Sequence, residues 1–278
     1  MLFDTVTLIG VGLIGGSIGR AIRAKKVARH VIGVGRDAAM LQLAVDLGAI
    51  DAFSTDAEAA RESDFFVVCT PVDTIARLVA QTSQFAKPGA IITDAGSTKA
   101  NVLRAVRGLV KPGIAYAGSH PLAGSEQSGI EHSRANLFEG KTTVVVPDDV
   151  PEAAVEKVEA FWHALGSKTL RMSAEEHDRA AAFASHLPHA VAAATARILP
   201  PQWRALAASG FRDTTRIAAG EPALWEAILT ANRDAVINAI MKFRESLEVF
   251  ERLLQNRDSA GLYHWLDEGK QVRDALGS

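Results

Sequence analysis

Val6-Thr7-Leu8-Ile9 runs directly into Gly10-Val11-Gly12-Leu13-Ile14-Gly15-Gly16-Ser17, and this junction constrains the fold more than any other stretch of the chain. A short, wholly apolar run reads as a parallel strand buried on both faces. The glycines then open an amphipathic helix that extends to about Lys25. Gly10 permits a tight turn, Gly12 leaves the backbone bare for a pyrophosphate, and Gly15 lets helix pack closely on strand. The first helical residues, Leu13 and Ile14, offer unpaired amide N–H groups to phosphate charge. The bland alternative is a turn that is merely glycine-rich. Between a strand and a helix, the pattern instead specifies a dinucleotide-binding βαβ unit.

The following elements keep that rhythm. Strands are expected at His30–Val34, Asp64–Cys69, Ala90–Asp94, Ala115–Ala117, Lys141–Val146 and, as an edge, Lys168–Met172. Helices are expected from Asp37 to Leu47, Asp73 to Ser83 and Pro151 to Leu165. Such alternation predicts a Rossmann-type α/β domain with a mostly parallel sheet over residues 1–172. In this architecture the carboxyl ends of the strands face the cofactor, which places Thr70 and Pro71 beside it. The ribose reader should stand after the second strand, where the sequence reads Gly35-Arg36-Asp37. An NAD-preferring site usually carries an acid at the position of Gly35. Arg36 can instead meet a 2′-phosphate, and Asp37 can serve the ribose or cap the next helix. The expected cofactor is NAD(P), and Gly35-Arg36 tips the balance slightly to NADP.

Of the 278 residues 48% are hydrophobic, enough for a sizeable core, and the net charge is −2. With no basic excess, neither nucleic acid nor an anionic membrane is the expected partner. No apolar run is long enough to span a bilayer, and Met1-Leu2-Phe3-Asp4 does not begin a signal peptide. The one cysteine, Cys69, is read as a buried strand thiol. A cytoplasmic protein is expected.

Gly118-Ser119-His120-Pro121-Leu122-Ala123-Gly124-Ser125-Glu126 follows the expected strand at Ala115–Ala117 and reads as a loop. It sets one histidine among small residues, hydroxyls and a carboxylate. Oxidising an alcohol requires the hydroxyl to lose a proton as its carbon loses hydride, and a histidine facing a nicotinamide suits that task. A second small-residue loop, Ala95-Gly96-Ser97-Thr98-Lys99, precedes a helix. Ser97 can cap that helix, donate to substrate or nicotinamide, or do both.

After Met172 the strand signals stop, and residues 173–278 read as an all-α domain. Ser173-Ala174-Glu175-Glu176 is a capping box for a helix carrying His177, Asp178, His186 and His189. His186 and His189 share a helix face, although Pro188 between them is expected to kink the helix. With no cysteine or dense carboxylate cluster nearby, a metal site is not expected. These histidines either line a pocket or sit satisfied at a packing face. Arg212 and Arg216 lie four apart, a spacing that suits a substrate bearing carboxylates, although taken alone it reads as a solvated basic face with salt bridges to Asp213 or Glu221. Gly220-Glu221-Pro222 turns the chain into one long helix expected from Ala223 to Leu254, and a last helix runs from Ser259 to Leu276. The apolar stripe of the long helix needs a cover, either from this chain or from a dimer partner.

The motifs at 10–17, 94–99 and 119–126, with Ser185-His186-Leu187-Pro188-His189 and Phe211-Arg212-Asp213-Thr214-Thr215-Arg216, together resemble the prephenate/arogenate dehydrogenase family of tyrosine biosynthesis. That resemblance implies a dinucleotide domain joined to a helical dimerisation domain. It also implies oxidation of the ring C4 hydroxyl of prephenate or arogenate by hydride transfer to NAD(P)+, with loss of the ring carboxylate as carbon dioxide. His120 would take the hydroxyl proton and Ser97 would orient the hydroxyl and nicotinamide. Arg216 would bind a substrate carboxylate, with His189, His186 and Arg212 lining the side-chain end. Glu126 would act as a gate or orienting residue and Trp225 as a wall. Glu221 would stand where an acid can pair with the arogenate ammonium. The rival readings are a β-hydroxy acid dehydrogenase or imine reductase of similar domain order, and a dinucleotide-sensing protein without turnover.

Overall fold

The computed structural model describes residues 1–124 and 127–277. The chain forms two compact units, Met1–Asn232 and Arg233–Ser278.

In the first unit six strands make a wholly parallel sheet: β1 (Phe3–Ile9), β2 (Ala28–Val34), β3 (Ala52–Ser54), β4 (Phe65–Val68), β5 (Ile91–Asp94) and β6 (Ala115–Tyr116). Their order is β3-β2-β1-β4-β5-β6, so the chain reverses direction across the sheet between β1 and β4. Four helices connect these strands: α1 (Leu13–Lys25), α2 (Ala38–Asp46), α3 (Val72–Phe85) and α4 (Ala100–Val106). A second, three-stranded sheet holds β7 (Ser119–Pro121), β8 (Thr142–Val145) and β9 (Lys168–Arg171), with α5 (Glu152–Ala164) between the last two.

Strand β4 shows why the sheet is buried on both faces. Its side chains alternate, and Phe65 and Val67 enter one core while Phe66 and Val68 enter the other. The first core takes Ile18 and Ile22 of α1 with Phe161 and Trp162 of α5. The second takes Ile75 and Val79 of α3 with Val102 of α4. Burying each such Phe or Ile contributes about 1.5–3 kcal/mol, which fixes the helices against both faces and leaves the strand ends to carry the chemistry.

Helix α6 (Ala174–Ala181) passes through a π-turn (Ala182–His186) into α7 (Leu187–Ile198). Pro188 therefore does not end the helix. It falls in the first turn of α7, where its missing N–H costs least, and the π-turn absorbs the local mismatch. Helix α8 (Ser209–Thr215), a 3-10 turn (Arg216–Ala219) and α9 (Pro222–Ala231) complete the unit. The expected long helix is in fact two. It breaks at Asn232, whose φ of −110° and ψ of 27° are not helical. The second unit consists of α10 (Arg233–Gln255) and α11 (Ser259–Ala275), the latter capped by the Asp258 carboxylate on the Gly261 amide.

Two smaller expectations also change. Cys69 stands just past β4 and is half-buried, its thiol turned toward the Val67 carbonyl at 3.8 Å. Lys168–Arg171 is an edge strand, but of the second sheet.

Candidate active site

Every segment singled out in the first half leaves the carboxyl edge of the main sheet. After β1, Gly10 adopts φ +92°, and a Cβ there would lie 2.9 Å from Thr70 Cγ2 and 3.0 Å from the Cys69 carbonyl oxygen. The turn after β1 thus packs directly on the Thr70-Pro71 turn after β4, at the point where the strand order reverses. A Cβ at Gly15 would approach the Gly10 carbonyl oxygen to 2.1 Å, so only glycine lets α1 start this close to the strand. Gly12 differs, because a Cβ there would meet nothing within 4 Å. Among the described residues no side chain caps α1 and no acid stands in its first turn, which leaves the first amides, at Leu13 and Ile14, without a side-chain acceptor. These residues fit a dinucleotide pyrophosphate. At the end of β2, Arg36 is exposed and makes no ion pair among the described residues. Asp37 is the cap of α2, its carboxylate accepting from the Ala39 and Met40 amides at 2.9 and 3.2 Å.

His120 lies not in a loop but in β7, paired with Val144 of β8. Antiparallel pairing fixes its backbone, and Ser119 and Pro121 on either side are buried. Its Nδ1 is 2.8 Å from His177 Nε2, and His177 Nδ1 is 2.8 Å from Asp178 Oδ1. The same carboxylate accepts from the Lys99 amide at 2.7 Å and the Ala100 amide at 2.9 Å. Burial opposes ionisation of Asp178, but the His177 hydrogen bond and these two amides outweigh it and hold its carboxyl below the ordinary value. Donor and acceptor roles follow from the anion. The Nδ1–H of His177 donates to Asp178, its Nε2 accepts the Nδ1–H of His120, and His120 Nε2 is left with a bare lone pair. Burial, then the neighbouring His177, Lys99 and His186, push the His120 imidazole well below its usual range. It is a neutral acceptor at physiological pH.

Asp178 occupies the place expected for Ser97, since its carboxylate takes the amides at the start of α4. Ser97 is half-buried in the turn after β5 and its hydroxyl makes no hydrogen bond among the described residues, so it does not cap α4.

A second cluster adjoins the first. The Asn232 side chain donates to the Asp178 carbonyl at 2.7 Å and lies 3.1 Å from His186 Nδ1. His189 stacks on Trp225 with ring centroids 3.5 Å apart and planes within 11°, and His186 meets the same indole edge-on at 6.3 Å. Gly220 lets the Trp225 ring in, because a Cβ would sit 2.5 Å from its Nε1. His186 Nε2 and His189 Nδ1 are buried without a hydrogen-bond partner among the described residues. Burial brings His186 down to about 4, against the opposing pull of Asp178, and burial also lowers His189.

The remaining candidates stand further out. Arg216 is exposed on the 3-10 turn that packs against α7. Arg212 is exposed and its guanidinium donates to the Ala207 carbonyl at 3.2 Å. Because α8 ends at Thr215, the two arginines do not share one continuous helical face. Glu221 is exposed at the start of α9. Glu126 lies outside the described residues. Sequence reasoning weighed His177 without placing it in the site, and it missed Asp178 and Asn232.

Two family models cover nearly the whole chain: the nucleotide-binding domain of prephenate dehydrogenase over residues 18–171 and its dimerization domain over residues 173–268. This chain belongs to the prephenate dehydrogenase family. Prephenate dehydrogenase of Bacillus subtilis is 31% identical, covering 98% of this chain and 76% of that protein. Cyclohexadienyl dehydrogenase of Zymomonas mobilis is also 31% identical, covering 99% and 97%. The structure is similar to prephenate dehydrogenase from Aquifex aeolicus, crystallised with hydroxyphenyl propionate and NAD+. Its TM-score is 0.92 at 30% identity, covering 98% of each chain. As a member of this family, the protein is an NAD(P)-dependent dehydrogenase of the prephenate and arogenate class. Its fold is the α/β Rossmann-type domain followed by a helical dimerisation domain that the motifs imply.

Proposed function

We propose that the bare Nε2 of His120, aimed by His177 and Asp178, accepts the C4 hydroxyl proton of prephenate or arogenate. The relatives' substrates support that substrate class, and the hydrogen-bonded chain from Asp178 to His120 supports that role. Bound NAD(P)+ supplies the hydride acceptor. The hydroxyl oxygen ends as the phenol oxygen of the product and the ring carboxylate departs as carbon dioxide. Atoms and charge then balance without net proton release, so the proton lent to His120 returns to the same oxygen. A neutral, weakly basic imidazole suits both directions of that transfer.

Ser97, with its hydroxyl uncommitted, orients the substrate hydroxyl. His189, stacked on Trp225, and His186 line the far end of the substrate. Their orphaned ring nitrogens support hydrogen bonding to its side chain. Arg216 binds a substrate carboxylate, and Arg212, whose Nε–H holds the preceding turn through the Ala207 carbonyl, lines the side-chain end of the substrate. Glu221 pairs with the ammonium when the substrate is arogenate. Gly10, Gly12, Leu13, Ile14, Gly15, Thr70 and Pro71 hold the dinucleotide. Arg36, exposed and without an ion pair among the described residues, and the commitment of Asp37 to α2 support NADP over NAD.

The dinucleotide domain is assigned to residues 1–172 and the helical domain to 173–278. A homodimer through the second unit is supported by Ile237, Ile240, Met241, Leu247, Leu254 and Leu266, exposed on α10 and α11. Among the described residues no helix is long and apolar enough to cross a membrane, and a cytoplasmic site of action is proposed.

The test is a grid of prephenate or arogenate against NAD+ or NADP+, read at the reduced-nicotinamide absorbance band. Turnover is expected in at least one cell, with the NADP+ column faster. Silence in all four from folded, cofactor-binding protein would overturn the reading.

A further inference from the structure

Behind His120 lies an ion pair that the chemistry above does not use. Lys99 and Asp94 are 1% and 0% exposed, and the ammonium contacts Asp94 Oδ2 directly. The pair grips Ser119, the residue before His120, on both sides of its backbone. Lys99 Nζ donates to the Ser119 carbonyl at 2.8 Å, and Asp94 Oδ1 accepts the Ser119 amide at 3.2 Å. Asp94 Oδ1 also takes the Tyr116 hydroxyl at 2.9 Å, and Oδ2 takes the Gly96 amide at 2.9 Å. The Ser119 hydroxyl is held as well, accepting from Trp162 Nε1 at 2.9 Å and donating to the Asp94 carbonyl. At the opposite end of the proton chain, the Lys99 amide itself binds Asp178. One residue therefore holds the strand that carries the base through its side chain, and the carboxylate that orients the base through its backbone.

Stability alone is a poor reason for such a pair. Desolvating two charges offsets most of their attraction, and well-packed apolar replacements are often neutral or better. We propose that Lys99, paired with Asp94, is a positioning residue for the proton transfer, fixing His120 against the reacting hydroxyl and keeping a positive charge beneath it. That charge disfavours the imidazolium and so speeds return of the proton to the product oxygen. The groups that act on His120 are His177 from α6, His186 from the π-turn and Lys99 from the edge of α4. Asp178, Asp94 and Tyr116 stand behind them. Of these, Lys99 is the buried cation. The inference rests on His120 being the base.

Three variants separate position from charge. Lys99→Gln retains a donor for Ser119 without charge, Lys99→Met removes both, and Asp94→Asn/Lys99→Gln is a neutral pair. Two readouts are needed: the pH profile of kcat/KM and the NMR titration of the His120 ring in resting enzyme. In Lys99→Gln the acid limb and the His120 titration should both rise by about one pH unit. In Lys99→Met the plateau rate should also fall on the order of 10²-fold, with cofactor affinity retained. A folded Lys99→Gln variant with both readouts unmoved would overturn the proposal. So would loss of folding in both Lys99→Gln and the double variant, which would leave the pair a role in the fold alone. If wild-type protein turned over none of the substrates, the enzymatic reading would fail. The ring titration would still decide whether Lys99 controls His120.

Discussion

Substituting Asp178 by Asn should separate the proton chain from the fold. The carboxylate meets three donors: His177 Nδ1–H and the Lys99 amide at Oδ1, and the Ala100 amide at Oδ2. An amide of the same shape has one acceptor oxygen. With oxygen at the Oδ1 position, its NH2 faces the Ala100 N–H and one buried donor is orphaned, costing about 1–3 kcal/mol. With NH2 at that position the Lys99 amide is orphaned instead and His177 must take its other tautomer. Its Nε2 would then donate to His120 Nδ1, and the proton of His120 would move to Nε2, leaving no base toward substrate. Either orientation removes the anion that stabilises a positive charge passing along the chain. A fall in kcat of roughly 10²-fold or more is expected, the scale of a lost general base. Thermal stability should drop by roughly 2–4 °C for each kcal/mol lost. Initial rates at saturating cofactor, a thermal melt and a cofactor titration on the same preparation read all three effects. A folded variant that melts a few degrees lower yet keeps kcat within about threefold of wild type would refute the proton chain, because a lost base is worth far more than that.

Four further outcomes follow from the geometry. His120→Asn should lose turnover by roughly 10²–10⁴-fold with cofactor affinity nearly unchanged, measured by initial rates and by cofactor fluorescence titration. Arg216→Ala should raise KM roughly tenfold or more, the scale of a lost charged hydrogen bond, with less effect on kcat. An unchanged KM would return Arg216 to a solvated face. Gly15→Ala should abolish cofactor binding or destabilise the fold, because its Cβ would lie 2.1 Å from the Gly10 carbonyl oxygen; calorimetric titration with the cofactor and a melt distinguish the two. Stability should fall as pH drops from 6.5 toward 4. Across that window an unfolded chain protonates its histidine, whereas native His186, brought down to about 4 by burial, does not. In a series of melts against pH, His186→Gln should flatten that slope.

The sequence carried the sheet well because its signals are local. The apolar run at Phe65–Val68 announces a strand buried on both faces, and Gly10 and Gly15 announce close contacts that no other residue permits. The proton chain was less visible because it joins distant elements. His177 and Asp178 are sequence neighbours, and side chains one apart on a helix do not ordinarily face each other. Here the His177 ring turns to bridge Asp178 and a strand 57 residues earlier. The break at Asn232 has no glycine or proline to mark it, and is held instead by the bonds to Asp178 and His186. The shared helical face of Arg212 and Arg216 fails for a physical reason as well. Four-residue spacing aligns side chains only along an uninterrupted α-helix, and α8 gives way to a 3-10 turn at Arg216. Nothing local marks Lys99 as buried, since lysine is seldom buried without a partner. Its partner, Asp94, lies at the end of the neighbouring strand.

The central claim is that His120 rests neutral, protonated on Nδ1 and bare on Nε2. Nitrogen-15 NMR of ring-labelled histidine in the resting enzyme reads this directly. The account predicts a protonated Nδ1 and an unprotonated Nε2 for His120 at pH 7, persisting below the pH at which a free imidazole takes up its proton. A proton on Nε2, or an imidazolium at pH 7, would contradict it.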